Sequence, residues 1–189
     1  MNLWDLLESS KWLARQGWMM RGIPTAIAET VSQHSWETGL IAYLIASRVK
    51  PEECPLNPYK AGMLGLVHDL LEGVLGDIPR YTSLQLGDLK NSLEEKAISE
   101  LEMEPSLREL LKEWEEGATP ESKAARIADS LSTYLQALRY MRSGYGRALE
   151  IAETSRRKAI DVARGTCFET VVAQVLSDIE RALLCGSKS

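Results

Sequence analysis

Apolar positions recur at helical spacing almost from one end of the chain to the other, and no segment alternates apolar and polar residues for long. Residues 2–15 read as a first helix, closed near Gly17. The segment GWMMRGIPTAIAETVS connects it to a second helix from about Glu29 to Val49, and Pro51 and Pro55 break the chain beyond it. Asn57 followed by Pro58 has the form of an N-cap with a first-turn proline. The third helix then runs to about Leu75, where Gly76 suits the left-handed position that ends it. A polar loop, DIPRYTSLQLGD, is expected next, followed by a charged helical stretch over about 88–116 interrupted at Pro105. Thr119-Pro120 repeats the cap-plus-proline signal and opens a helix through about Arg142, which Gly144 and Gly146 break. The remainder, about 147–185, reads as two helices divided near Gly165. The pattern predicts an all-α, compact bundle of about six to eight helices, with residues 1–189 forming one domain.

One stretch resists that tidy division of apolar inside and polar outside. Residues 65–79, GLVHDLLEGVLGDIP, are among the most apolar of the chain, yet they carry His68, Asp69, Glu72 and Asp77. A buried carboxylate without a partner costs several kcal/mol, so such groups are usually paired or bound to a metal. The two other candidates sit in similar surroundings. His34 shares an apolar stripe with Thr38, Ile41, Ile45 and Val49 on the second helix. Asp129 stands among Ala125, Ala128 and Leu131.

The totals narrow the possibilities. A net charge of −5 argues against a nucleic-acid surface, which needs clustered Lys and Arg. Cys54, Cys167 and Cys185 form no CxxC and are odd in number, as expected of reduced core thiols in the cytosol. The N-terminus MNLWDLLESSKWLARQGW mixes acids, bases and tryptophans and does not read as a signal peptide. No run reaches the roughly 18 apolar residues of a spanning helix, so a cytoplasmic protein without a membrane partner is expected.

On a continuous third helix, His68 and Glu72 fall on one face a turn apart, with Asp69 rotated by one residue. Ala61 and Gly65 on that face would let a second helix come close. Each polar residue also has an ordinary structural explanation: a hydrogen-bonded core histidine, a helix-edge Glu72, a turn Asp77, or an Asp129 paired with Arg126. The combination points elsewhere, because both histidines of the chain face inward on helices that also carry buried acids. Two imidazoles and two carboxylates suit a divalent transition metal such as Mn, Fe, Co, Ni or Zn better than Mg or Ca.

The spacing of His34, the His68-Asp69 pair and Asp129 resembles the H…HD…D signature of HD-domain metal-dependent phosphohydrolases. RQGWMMRGI, SQHSWETG, LVHDLLEGVLGDIP and IADSLSTYL are similar to segments of the 5′-deoxynucleotidase-like branch of that superfamily, over about residues 11–137. The resemblance implies that His34, His68, Asp69 and Asp129 hold one divalent transition metal, with Glu72 and Asp77 as catalytic acids beside it. Arg15, Trp18 and Arg21 match the segment that meets the nucleotide. The family's usual acid before the first histidine is Gln33 in this chain. The implied activity is hydrolysis of (deoxy)nucleoside 5′-monophosphates to nucleoside and phosphate. Alternatives are a triphosphate, pyrophosphate or phosphodiester substrate, or a metal- or nucleotide-binding module without turnover. The resemblance also makes a homodimer an expectation. The stripe Phe168, Val171, Val172, Val175, Leu176 and Ile179 either packs on the domain or serves that contact.

Overall fold

The protein is described here from a computed structural model covering residues 2–184. Its first helices are α1 (Leu3–Trp12), α2 (Gln16–Met19), α3 (Val31–Arg48), α4 (Pro58–Val67), α5 (Glu72–Leu75) and α6 (Arg80–Leu86). They are followed by α7 (Asp88–Glu100), α8 (Pro105–Glu116), α9 (Pro120–Arg142), a 3-10 turn at Gly146–Ala148, α10 (Leu149–Ala163) and α11 (Glu169–Leu184). The described residues are all-α: extended pairing is limited to the isolated bridges Asn2–Glu102 and Ala14–Thr30. No helix among them is long and apolar enough to cross a membrane.

The count exceeds the sequence expectation because of three short helices. Two of them, α2 and α6, lie in the segments expected as connector and loop. In α6 both Tyr81 and Leu84 are exposed, so the segment has no buried stripe by which periodicity could reveal it. The third comes from the expected long helix over 58–75, which is two helices, α4 and α5, joined by a turn at His68–Leu71. The Gly65 carbonyl, which a continuing helix would offer to the Asp69 N–H, instead accepts from the His68 ring. From there the backbone tightens to i→i−3 bonds, with Leu70 N–H donating to Val67 O and Glu72 N–H to Asp69 O. Gly76 closes α5 at φ +80, a conformation that glycine adopts without strain.

Caps set where the long helices start. Asn57 accepts from the N–H groups of Tyr59 and Lys60 ahead of α4, and Thr119 accepts from Ser122 ahead of α9. Ahead of α3, Thr30 and Gln33 exchange bonds in a capping box. Gln33 thus fills a structural position that either Glu or Gln satisfies.

Helices α3, α4 and α9 pack against one another as the centre of the fold. The crossing of α3 and α4 is closed by glycines: a Cβ on Gly65 would lie 3.0 Å from the Thr38 carbonyl oxygen and 3.1 Å from the Gly39 Cα. The larger apolar cluster lies among α3, α9, α10 and α11 and includes Ile45, Ile127, Leu131 and Phe168. A smaller one, with Leu6, Val67, Leu70, Leu71, Ile98 and Leu111, lies beneath the His68–Leu71 turn. The stripe on α11 packs on the domain: Phe168, Val171, Val172 and Leu176 are buried, and Val175 and Ile179 lie against the same cluster. Cys54 and Cys167 are free, half-buried thiols. Burial and the neighbouring Cys54 push the Cys167 thiol up to about 12. Cys185 lies outside the described residues.

Gly65→Ala tests the crossing. The methyl gains about 1 kcal/mol of helix propensity, but it meets backbone that cannot rotate away, at about 1–3 kcal/mol for overpacking. The expected outcome is a lower urea midpoint than wild type; a raised midpoint would show that α3 and α4 separate freely.

Candidate metal centre

His34 is fully buried on α3, and its ring meets that of His68 edge to face at a centroid separation of 5.2 Å. Its Nε2 lies 3.3 Å from Asp129 Oδ1 and 3.7 Å from Asp69 Oδ2. The opposite ring nitrogen, Nδ1, is 3.2 Å from Ser132 Oγ. His68 donates from Nδ1 to the Gly65 carbonyl at 2.7 Å, since a carbonyl can only accept. In the neutral ring, Nε2 then carries the lone pair. That nitrogen is buried without a hydrogen-bond partner, 3.1 Å from Asp69 Oδ2.

Donor atoms of His34, His68 and Asp129 lie within 4.8 Å of one another, and Asp69 reaches both rings. Leaving a buried polar atom unsatisfied costs about 1–3 kcal/mol, so a cation among these lone pairs would relieve a standing penalty. The donor set fits a divalent metal ion. It comes from three elements: α3, the turn after α4, and α9.

The carboxylates divide into two kinds. Burial works against ionising Asp69, but His68 beside it, with His34 and Arg15, holds its carboxyl down at about 2. Burial also opposes Asp129, yet Lys158 at 3.1 Å and His34 keep it well below the usual range. Arg126, the expected alternative partner of Asp129, instead donates to the Trp114 and Glu115 carbonyls. Glu72 and Asp77 behave oppositely. Burial, reinforced by Asp69 and Asp77, pushes Glu72 up to about 10. Its Oε2 is buried and unpartnered. Burial also raises Asp77, against the pull of Arg15 and of the Gln16 N–H that its carboxylate accepts.

Of the three upstream residues, the structure brings Arg15 to this cluster. Its Nη1 lies 3.3 Å from Glu29 Oε2 and 3.4 Å from Thr133 Oγ1. In spite of burial, Glu29, Asp69, Asp129 and Glu72 together raise its guanidinium above its ordinary value. Trp18 is enclosed: it packs edge-on against Tyr140 and donates from Nε1 to Glu29 at 3.0 Å. It therefore supports the partner of Arg15 rather than presenting a face to the centre. Arg21 pairs with Glu150 at the start of α10, at 3.0 Å.

A cavity of about 50 Å3 opens beside His68 and Asp69, with Glu72, Lys90, Glu94, Trp114 and Glu115 in its wall. Lys90 pairs with Glu94, and the Trp114 ring lies 4.8 Å from the His68 ring, centroid to centroid. Glu29, Lys158, Glu94, Trp114 and Ser132 also border the site and are not among the residues that the sequence pattern singles out. Only Ser132 carried a signal, three residues after Asp129 on one helical face. The others reach the site through long-range packing that leaves no spacing to read.

Imidazoles and carboxylates drawn from separate helices to one buried point define an all-α protein built around a site able to hold a metal. The chain belongs to the HD domain family, whose profile matches residues 7–167. It is similar to the 5′-deoxynucleotidase HDDC2 of Homo sapiens, 28% identical over 181 residues, covering 93% of this chain and 81% of that protein. It is likewise similar to the 5′-deoxynucleotidase YfbR of Salmonella paratyphi B, 28% identical over 156 residues, covering 77% of this chain and 76% of that one. Among solved structures, a conserved hypothetical protein from Pyrococcus furiosus matches with a TM-score of 0.77 at 24% identity, over 95% of this chain and 98% of that one. The PH0347 protein from Pyrococcus horikoshii matches with a TM-score of 0.74 at 26% identity, over 93% of this chain and 95% of that one.

The displaced Glu72 makes metal-free stability depend on pH. An unfolded chain ionises Glu72 near 4.5, whereas the folded one does so only at about 10. Between those values the unfolded state binds fewer protons, so the contribution of Glu72 is present in acid and lost as pH rises. In metal-stripped protein, Glu72→Gln is expected to raise the urea midpoint relative to wild type, by a margin that widens from about pH 5 to about pH 8. A margin independent of pH would show that Glu72 ionises normally in the fold.

Proposed function

We propose that this protein is a metal-dependent phosphohydrolase that releases inorganic phosphate from (deoxy)nucleoside 5′-monophosphates. One observation carries the reading. A buried, unpartnered Glu72 carboxyl and a second raised acid, Asp77, stand beside a cluster of donors fitted to a divalent metal. Neither acid is needed to hold the metal, and both suit proton transfer. The 5′-deoxynucleotidase names of its relatives supply the substrate class.

His34, His68, Asp69 and Asp129 would hold one divalent transition metal: Mn, Co, Ni, Fe or Zn. When bound, it supplies Lewis acidity to a phosphoryl oxygen and lowers the pKa of a coordinated water from about 15.7 toward neutrality. With the charge of a bound cation offsetting Asp69 beside it, Glu72 would ionise and could then orient the attacking water and accept its proton. Asp77, whose carboxyl burial shifts toward the neutral form, would be the group that gives a proton to the departing 5′ oxygen. Arg15, steadied by Glu29, lies within the field of the same carboxylates and would meet the phosphate. Trp18 then acts by holding Glu29, and Arg21 borders the same segment.

The chain is proposed to work as one domain, since Leu110 packs against both apolar clusters. It is proposed to be cytoplasmic. A homodimer is also proposed, and an uncharged face on α3 and α4, with Trp36, Leu40, Leu44, Tyr59, Met63 and Leu66 exposed, is its best-supported contact.

The test is phosphate release by metal-stripped protein given ribo- and deoxynucleoside 5′-monophosphates and triphosphates, with Mn, Co, Ni, Zn or Mg restored singly. Metal-dependent phosphate from monophosphates is expected; pyrophosphate or no product would remove the reading. Glu72→Ala should retain metal while kcat falls by about 10²–10⁴, whereas His68→Ala should lose both metal and turnover. A Glu72→Ala enzyme with normal kcat would take Glu72 out of the chemistry.

A further inference from the structure

The two histidines of the centre have their inner nitrogens, Nε2, turned to the carboxylates, but different groups hold their outer ones. His68 gives its Nδ1 proton to a backbone carbonyl, which has no alternative but to accept. His34 faces the hydroxyl of Ser132, fully buried on α9, at 3.2 Å. A hydroxyl can donate or accept, so by itself it leaves the tautomer of His34 undecided.

The decision is made one residue further out. Ser132 Oγ also lies 3.1 Å from Glu37 Oε2. The other oxygen of Glu37, Oε1, is 2.8 Å from Arg139 Nη2. A carboxylate whose far oxygen is engaged by a guanidinium offers only lone pairs to the hydroxyl. The Ser132 proton therefore goes to Glu37, and the hydroxyl oxygen turns its lone pair to His34 Nδ1–H. Every bond then converges on Glu37: from His34 to Ser132, from Ser132 to Glu37, and from Arg139 to Glu37.

We propose that Ser132, Glu37 and Arg139 form a hydrogen-bonded relay that fixes His34 as the Nδ1–H tautomer and so commits its Nε2 lone pair to the metal centre. This rests on the proposed metal site and assigns it three positioning residues. The relay counts for most at His34, because free imidazole prefers its proton on Nε2, the form that cannot ligate from that atom. Its outer end is open to solvent: Glu37 and Arg139 line a cleft of about 560 Å3 together with Trp36, Gln136 and Tyr140.

The experiment needs two readouts on Ser132→Ala and Glu37→Gln. The first is Co(II) affinity in competition with a chelator. The second is the long-range 1H–15N spectrum of the metal-free protein, in which the two histidine rings are the only imidazoles. Wild type should show both rings carrying a proton on Nδ1, whether or not Nε2 also shares one with Asp129 or Asp69. Ser132→Ala should move one ring toward the Nε2–H form and weaken Co(II) by about ten- to a hundredfold, the range typical for loss of a group that orients a metal ligand. Glu37→Gln, at the rim of the fold and so a safeguard against misfolding of the buried variant, should shift the same ring less far and weaken Co(II) in the same direction. Unchanged tautomers in both variants would overturn the relay, whatever happens to affinity. So would Co(II) binding within about twofold of wild type in both. If wild type itself takes up no Co(II), the metal reading fails, while the metal-free spectra still decide the relay.

Discussion

The close approach of α3 to α4 is the constraint on which the rest of the structure depends. Where the helices cross, Gly39, Gly62 and Gly65 leave backbone against backbone, and a side chain at Gly65 would have to push α3 aside. That contact fixes the separation of the two histidines, because His34 lies one turn before the crossing on α3 and His68 follows it directly after α4. Gly65 has two tasks at once: its side-chain position faces α3, and its carbonyl accepts from the His68 ring. The overwound turn after α4 follows from the second task and swings Asp69 toward both rings. A slightly wider crossing would leave a set of buried, uncompensated charges in place of a site.

The electrostatics follow the same division of space. Asp69 and Asp129, next to imidazoles and a lysine, are held ionised; Glu72 and Asp77, set against apolar surroundings and those same anions, are pushed toward the neutral form. Four carboxyl groups within one small region thus acquire two chemical characters from their neighbours alone. Arg15 feels the field of both sets, and Glu29 with Trp18 keeps it in place.

Much of this was legible in the sequence, for physical reasons that can be named. The starts of α4 and α9 were readable because Asn-Pro and Thr-Pro are local solutions to orphaned N–H groups. The inward placement of His34 followed from its stripe with Thr38, Ile41, Ile45 and Val49, of which Ile41 is half-buried and the others are buried. The break between α4 and α5 was not readable, because it depends on a side chain competing for a backbone carbonyl, and spacing alone cannot show which partner wins. α6 escaped because its apolar residues face solvent. Lys158 and Glu29 escaped because their partners, Asp129 and Arg15, are distant in sequence and meet them only in the folded chain.

The origin of the donor atoms has a topological consequence. His34, His68-Asp69 and Asp129 come from the first, second and last of the three central helical segments, with long stretches of chain between them. A single ion gripping all of them would close two large loops at once, much as a pair of cross-links would. It would clamp α9 to the crossing of α3 and α4 and, through the His68–Leu71 turn, tie the larger apolar cluster to the smaller. On this architecture the ion would serve as a keystone of the tertiary fold as well as a reagent.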